Sequence, residues 1–201
     1  NFSEVALIAF SLIFGLPLPI LPTQILWSNL VEGGLMNFAF AFEPLYPDAM
    51  KRKPQDPETS RVISPKIVQL IMLVGTITSV TLISVYLFLI SFTTLSLPEI
   101  QTLMFVAVSV NCIFMAFSMK SFGTPLWKLS LFSNKFLLVS LCASAILLLA
   151  ALYVPFLQAL VHVSPPTLLQ IGMLVGFGLV NLATIEIAKW LIFIRPNAKS
   201  G

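Results

Sequence analysis

The run IVQLIMLVGTITSVTLISVYLFLISF occupies residues 67–92 and contains no Asp, Glu, Lys or Arg. As an α-helix it would rise about 39 Å, whereas roughly 20 apolar residues suffice to cross the ~30 Å hydrocarbon core of a bilayer. We therefore predict a membrane-spanning helix over these residues.

The composition of the whole chain agrees with that prediction. Hydrophobic residues make up 58% of the 201 residues and charged residues 9%, whereas soluble domains carry about 25% charged residues. The apolar excess has to face lipid, which predicts an all-α, polytopic transmembrane helix bundle with room for about six helices. The lipid bilayer is the expected partner, and the net charge of +3 does not indicate nucleic-acid binding.

The apolar runs alternate with segments rich in proline, serine or charge. The apolar part of the first helix, Val5–Gly15, would rise only about 17 Å. Since the first residue is Asn rather than Met, we expect the sequence to begin inside this helix and inside a longer gene product. Within one membrane domain covering 1–201 we predict a partial helix at 1–15, an outer turn at 16–23, a cytoplasmic loop at 43–66 and spanning helices at 24–42, 67–92, 103–119, 136–156 and 168–194.

The orientation follows from the basic residues, which membrane proteins concentrate in cytoplasmic segments. All 11 Lys and Arg lie in Lys51–Lys66, Lys120–Lys135 and Lys189–Lys199. The connections between helices that alternate with these clusters carry neither Lys nor Arg; they are 16–23, 93–101 and 158–167. This alternation predicts an integral, multi-pass membrane protein with a cytoplasmic C-terminus.

Two acidic residues are predicted to lie at membrane depth. Counted along the helices from the outer turn, Glu4 lies about 17 Å and Glu32 about 15 Å below it. An ionisable group near the bilayer centre costs at least about 2.5–3.5 kcal/mol, so each is a candidate functional residue. Each also follows an asparagine by three residues, Asn1 and Asn29, which places each pair on one helical face.

These four residues predict a cation-binding site. Gly33 and Gly34 follow Glu32 directly and cost about 1 kcal/mol each in a helix, which favours a local break that frees backbone carbonyls. Broken membrane helices hold cations at the midplane in this way, and a hard cation such as Ca2+ takes six to eight oxygen ligands. The alternative is that the carboxylates and amides only hydrogen-bond to neighbouring helices.

Polar residues elsewhere in the chain have structural interpretations. Glu186 and Lys189, spaced i and i+3, predict an ion pair. Asn111 and Asn181 are expected to hydrogen-bond across helices, and a role as auxiliary ligands stays open. The GxxxG pattern at 172–176, followed by Gly178, predicts a close-packing helix surface. The same interpretation applies to a cluster of small residues on another predicted helix, namely Gly75, Thr76, Thr78 and Ser79.

Motifs for catalysis are missing from the sequence. It contains no Gly-rich phosphate-binding loop with Lys, no Ser-His-Asp or Cys-His arrangement and no His/Cys cluster. We expect neither catalytic residues nor catalysis by this chain alone.

Residues Pro17–Gly34, with the sequence PLPILPTQILWSNLVEGG, resemble the turn between the fifth and sixth helices, and the sixth helix itself, of P-type cation-transporting ATPases of the calcium-pump and sodium-pump type. Phe42–Pro44 and Asp48–Pro54 look like the cytoplasmic loop that follows in that family. Glu186–Lys189 is similar to its last helix. The resemblance spans the whole chain as helices five, truncated, to ten.

This resemblance implies a role for Asn1, Glu4, Asn29 and Glu32 at cation-binding positions. It implies that the transported cation is calcium, Ca2+, or a similar ion. ATP and Mg2+ would bind only in cytoplasmic domains outside this sequence, where an aspartate is phosphorylated. The remaining N-terminal membrane and cytoplasmic domains of the same pump are the implied protein partners.

Two departures from the family leave the ion open. The family usually carries Asp where this chain has Gly33, and the calcium pump supplies a carboxylate from the region that holds Asn111 and Cys112 here. One divalent ion, a monovalent ion and a proton-coupled cycle are all compatible with the sequence. Two other hypotheses are a channel or secondary transporter with paired midplane acids, and a degenerate structural domain that binds no ion.

Overall fold

The computed structural model describes residues 2–42, 65–120, 126 and 134–191, except the side chains of Glu32 and Lys66. Asn1 and nearly all of the predicted loop at 43–66 lie outside these residues. The described elements are α-helices and a π-helical segment, and no described residue lies in a strand, which confirms the all-α class. The elements are α1 (Phe2–Ile13), α2 (Pro22–Leu26), the π segment (Trp27–Glu32), α3 (Gly33–Phe40), α4 (Pro65–Phe92), α5 (Leu97–Met119), α6 (Lys135–Tyr153), α7 (Pro155–Val161) and α8 (Leu168–Lys189).

Four of these helices, α4, α5, α6 and α8, are long and apolar enough to cross a membrane. Helix α1 is also apolar but has only 12 residues. The protein is therefore a multi-pass helical membrane bundle, as the composition predicted.

Helix α2, the π segment and α3 follow one another without a gap from Pro22 to Phe40. The residues at the two junctions, Leu26 and Gly33, both have right-handed helical dihedral angles. One continuous helix with a π-helical middle thus takes the place of the spanning helix predicted at 24–42.

A proline divides the region predicted as a single helix at 136–156. Pro155 follows Val154, which is extended with φ −86° and ψ 118°, because a proline ring disfavours helical dihedral angles at the residue before it. Helix α6 therefore ends at Tyr153, and the short helix α7 begins at Pro155.

Capping residues set the beginning of two other helices. Helix α5 begins ahead of the predicted range 103–119, because Ser96 and Glu99 form a capping box in which the Ser96 N–H donates to Glu99 Oε2 at 2.8 Å. Thr167 and Gln170 form a second capping box at the start of α8. Polar residues with turn propensity thus extend a helix beyond its apolar run.

Helix α5 is the centre of the bundle. In its 18-residue apolar stretch 67% of the residues are buried, whereas in the corresponding stretch of α8 the share is 22%. Every residue of the range 100–111 is buried. Helices α4, α6 and α8 and the π segment all pack against it. Polar residues on α5 therefore face other helices rather than lipid.

The turn between α1 and α2 is held by long-range hydrogen bonds. Gln101 of α5 donates its Nε2 to the carbonyl of Leu18 at 3.0 Å, and Gln24 of α2 donates its Nε2 to the carbonyl of His162 at 3.4 Å. Because α1 and α2 leave this turn directly, these bonds position the polar residues farther along both helices.

The GxxxG pattern at 172–176 does not form a close-packing surface in the described part of the chain. A Cβ atom placed on Gly172 or Gly176 would have no heavy atom of another element within 4 Å, and both residues are exposed. Close packing occurs at Gly178, where a Cβ would come within 2.7 Å of Val110 Cγ1 and 2.8 Å of Phe114 Cδ2. The prediction is therefore confirmed for Gly178 and wrong for Gly172 and Gly176, because spacing alone does not tell which face of a helix meets a neighbour.

The substitution Gly178→Ala is expected to destabilise the protein by about 1–3 kcal/mol, because the added methyl group overpacks the contact between α8 and α5. Gly176→Ala, two residues earlier on the same helix, is the matched control and should be neutral or slightly stabilising, since alanine favours helix formation. The measurement is the thermal denaturation midpoint of the intact protein in detergent. Equal midpoints for the two variants would contradict this packing.

Glu186 and Lys189 form the ion pair predicted from their spacing. Lys189 Nζ lies 2.6 Å from Glu186 Oε1, and both side chains are buried. Ser118 Oγ donates to the same carboxylate oxygen at 2.6 Å, and the N–H of Leu126 donates to the other at 2.9 Å. The pair therefore connects α8 to α5 and to the residue Leu126 beyond it.

Candidate cation site

Helix α1 and the π segment bring together a carboxylate and an amide from the predicted site. Asn29 Nδ2 donates a hydrogen bond to Glu4 Oε2 at 2.7 Å. Glu4 is only 3% exposed, whereas Asn29 is exposed. Asn1 and the side chain of Glu32 lie outside the described part of the chain, so their place in the site stays a prediction.

The helical distortion lies beside the glycine pair rather than on it. The sequence predicted a break at Gly33 and Gly34, but both residues are helical and the preceding turn is a π-helix. The Gly33 N–H donates to the carbonyl of Ser28, five residues earlier, which closes the wider π turn. The chain is therefore widened here and not unwound, so the expected release of backbone carbonyls by unwinding is not observed.

The wide turn is fixed to the centre of the bundle. Ser28 Oγ lies 3.3 Å from Ser109 Oγ of α5, and both residues are fully buried. A Cβ on Gly33 would lie only 3.2 Å from the Ser28 carbonyl oxygen, tighter than an ordinary contact. Glycine therefore suits the π turn at position 33, where P-type ATPases of the calcium-pump and sodium-pump type usually carry Asp.

A cavity of about 310 Å³ lies beside Glu4 and Asn29 and extends between α1, the π segment, α3, α4 and α5. Most of its lining is apolar. The polar and charged side chains in the lining belong to Ser3, Glu4, Asn29, Asn37, Thr78 and Asn111. The carboxylate of Glu4 is the one acidic group among the described lining residues, so the remaining donors to a cation there would be neutral oxygens.

Three of these lining residues were not predicted from the sequence: Ser3, Asn37 and Thr78. Asn37 follows Asn29 by two helical turns and Gly33 by one, so its spacing held a usable signal. Thr78 belongs to the cluster of small residues on α4 (Gly75, Thr76, Thr78 and Ser79), for which the sequence predicted helix packing. Ser3 precedes Glu4 and carried no distinguishing signal.

The two asparagines with structural interpretations do hydrogen-bond across helices. Asn181 Nδ2 of α8 donates to Asn111 Oδ1 of α5 at 2.7 Å and to Thr78 Oγ1 of α4 at 3.2 Å. Asn111 also lines the cavity, whereas Asn181 does not. The prediction of interhelical bonds is confirmed.

Acidic and metal-binding side chains are sparse in the described part of the chain, which contains no group of three or more His, Cys, Asp or Glu residues placed to hold a metal ion. A closed zinc-type centre needs about four such ligands. The described lining of the cavity offers one carboxylate and several neutral side-chain oxygens, and oxygen atoms are the ligands that hard cations prefer.

Comparison with known proteins identifies the family of this chain. Residues 17–191 match the family described as "Cation transporting ATPase, C-terminus". The chain belongs to this family. It is the C-terminal membrane region of a P-type cation ATPase, as the stretch from Pro17 to Gly34 indicated.

Relatives of this ATPase region include whole cation ATPases from bacteria and mammals. The chain is 32% identical over 180 residues to a calcium-transporting ATPase of Bacillus subtilis (strain 168), covering 86% of this chain and 20% of that protein. It is 29% identical over 203 residues to a probable cation-transporting ATPase F of Mycobacterium tuberculosis (strain ATCC 25618 / H37Rv), covering 99% and 22%. It is 27% identical over 176 residues to the calcium-transporting ATPase type 2C member 2 of Rattus norvegicus, covering 88% and 18%. The chain thus spans about a fifth of the length of these relatives.

Proposed function

We propose that this region holds the transported cation of an ATP-driven pump, and that Glu4 is its principal ligand. The observation that carries the proposal is the Glu4 carboxylate, almost fully buried at a cavity between membrane helices and hydrogen-bonded to Asn29. Burying a carboxylate in a membrane is expensive, and such groups commonly lie on ion pathways.

The hydrogen bond from Asn29 stabilises the Glu4 carboxylate when no cation is bound. A cation close to Glu4 Oε2 would repel the amide N–H group beside it, so we propose that the Asn29 amide turns away from the carboxylate when the ion binds. The Asn29 side chain can then turn its carbonyl oxygen toward the ion. This exchange is a rotation of one amide, and it also gives up the bond that Asn29 Nδ2 donates to the Ile25 carbonyl at 3.1 Å.

Asn1 and Glu32 complete the proposed ligand set. Asn1 precedes Glu4 by three residues and Glu32 follows Asn29 by three, so each has the spacing of a neighbour on the same helical face. With two carboxylates the site would neutralise one divalent cation. Calcium or a similar cation is our proposal for the ion, and two relatives named calcium-transporting ATPases support it.

The rest of the pump is proposed to close the site and drive it. Asn29 is exposed, which leaves that side of the cavity available to other membrane helices of the same polypeptide. ATP and Mg2+ would act in cytoplasmic domains of that polypeptide outside this chain.

The proposal is tested with the intact protein in sealed vesicles. ATP is expected to drive accumulation of radioactive calcium, and calcium is expected to stimulate ATP hydrolysis. Calcium flux that proceeds equally without ATP would favour the channel hypothesis. ATP hydrolysis that responds neither to calcium nor to any other tested cation would favour a degenerate domain.

A further inference from the structure

Two residues that line the cavity are held by hydrogen bonds from a residue that does not line it. Thr78 of α4 and Asn111 of α5 both line the cavity, and both accept a hydrogen bond from Asn181 of α8. Asn181 lies behind them and is not part of the lining. Its exposed fraction is 2%, and that of Thr78 and of Asn111 is 5%.

The hydrogen bonds fix the orientation of both asparagine amides. Asn111 accepts from Asn181 through Oδ1 and donates through Nδ2 to the carbonyl of Ala107 at 2.9 Å. Turning the Asn111 amide over would place two donors against each other and two acceptors against each other, so only one orientation is satisfied. The Asn181 amide is fixed in turn by Asn111, because Asn111 Oδ1 requires the Asn181 Nδ2 donor. On the other side Asn181 Oδ1 lies 3.0 Å from Thr81 Oγ1, whose single proton has a second acceptor in the Ile77 carbonyl at 3.0 Å.

We propose that Asn181 is a positioning residue of the cation site: by holding the Asn111 and Thr78 oxygens in place it sets the affinity and the size preference of the cavity. This inference rests on the proposed function. Discrimination between cations of one charge depends on ligand number, cavity size and rigidity, and partners that orient ligands typically change metal affinity about 10–100-fold when removed.

A purely structural role is the competing explanation. Hydrogen bonds between membrane helices are common and contribute about 0.6 kcal/mol on average. Such a role would change the stability of the bundle but not the concentration of cation that half-saturates the pump. The test therefore separates cation affinity from stability and from the maximal rate.

The test variant is Asn181→Leu in the intact protein, which keeps a side chain of similar size but removes the donor and the acceptor. The concentrations of Ca2+ and of Mn2+ that half-saturate ATP hydrolysis are measured together with the maximal rate. We expect the half-saturating concentration of Ca2+ to rise about tenfold, its ratio to that of Mn2+ to change, and the maximal rate to stay within about twofold. Thr184→Val is the matched control, because Thr184 is exposed on the same helix and its hydroxyl donates to the Val180 carbonyl of its own helix.

A double-mutant cycle tells whether Asn181 acts through Asn111. If it does, adding Asn181→Leu to Asn111→Leu raises the half-saturating concentration little further. Fully additive effects would overturn the inference, as would an unchanged half-saturating concentration in a variant that is only less stable. Where Asn181→Leu does not accumulate, Thr81→Val takes its place and should give a smaller shift in the same direction; an unchanged half-saturating concentration there would equally overturn the inference.

Failure of the inference is distinguishable from failure of the proposed function. If Glu4→Gln weakens the response to Ca2+ but Asn181→Leu does not, Asn181 is structural and the cation site stands. If the wild-type pump responds to neither Ca2+ nor Mn2+, or if Glu4→Gln changes nothing, the proposed site is wrong and the inference falls with it.

Discussion

Glu4→Gln is expected to raise the calcium concentration that half-saturates ATP hydrolysis by the intact pump at least roughly 100-fold, or to abolish the stimulation. Residues that only orient a ligand already change metal affinity about 10–100-fold, and Glu4 is proposed to be a ligand itself. Glutamine has nearly the same size and keeps one oxygen, so the substitution removes the negative charge with little change in packing. The measurement is a calcium titration of ATP hydrolysis.

The same substitution at another glutamate serves as the control for Glu4→Gln. Glu99 is partly exposed at the beginning of α5, where it accepts hydrogen bonds from Ser96 N and Oγ. Glu99→Gln weakens a helix cap, which costs at most about 1–2 kcal/mol, and should leave the calcium response unchanged. A Glu4→Gln pump with the wild-type calcium response would show that this carboxylate is structural.

Breaking the buried pair of Glu186 and Lys189 is expected to cause the largest loss of stability. Either Glu186→Gln or Lys189→Met leaves a charge of one sign in a site that is almost inaccessible to water, and removal of one partner of a buried pair typically costs about 3–5 kcal/mol. The thermal denaturation midpoint of the detergent-solubilised protein measures the effect.

The double variant Glu186→Gln/Lys189→Met is the control for the ion pair. It removes both charges, and replacement of a whole buried pair is often neutral. We expect the double variant to be more stable than the less stable of the two single variants. Additive losses in the double variant would show that the hydrogen bonds to Ser118 and Leu126, rather than charge pairing, give the cluster its stability.

The fold could be predicted from the sequence because the bilayer restricts which backbone structures can cross it. A run such as Ile67–Phe92 has few stable alternatives to a spanning helix, since backbone groups in lipid must be hydrogen-bonded within the segment. The ends of the helices were harder to predict. The effect of Pro155 on α6 and of the capping box at Ser96 depends on local residues that the extent of an apolar run does not reveal.

The candidate site was only partly accessible from the sequence. Depth along the helices selected Glu4, and the three-residue spacing to Glu32 selected Asn29. The structure places Asn29 Nδ2 2.7 Å from Glu4 Oε2. The π turn was not predicted, because the cost of glycine in a helix indicates a weak point but not the distortion that results. Asn181 is 103 residues from Thr78 and 70 residues from Asn111 in the sequence, and no local pattern indicates that the three side chains meet.

The remaining predictions concern residues outside the described part of the chain. The alternation of Lys and Arg clusters still predicts a cytoplasmic C-terminus, and a reporter fused after Gly201 of the intact protein would test it. The places of Asn1 and Glu32 in the cation site likewise stay predictions, which the substitutions Asn1→Leu and Glu32→Gln address in the same calcium titration as Glu4→Gln.

Equilibrium binding of radioactive calcium to the purified intact protein, without ATP, tests the central claim most directly. It measures the cation site itself, independently of hydrolysis and of the coupling between domains. We predict saturable binding to the wild type and to Glu99→Gln, and loss of that binding in Glu4→Gln. Saturable calcium binding that is equally strong in Glu4→Gln and in the wild type would contradict the account.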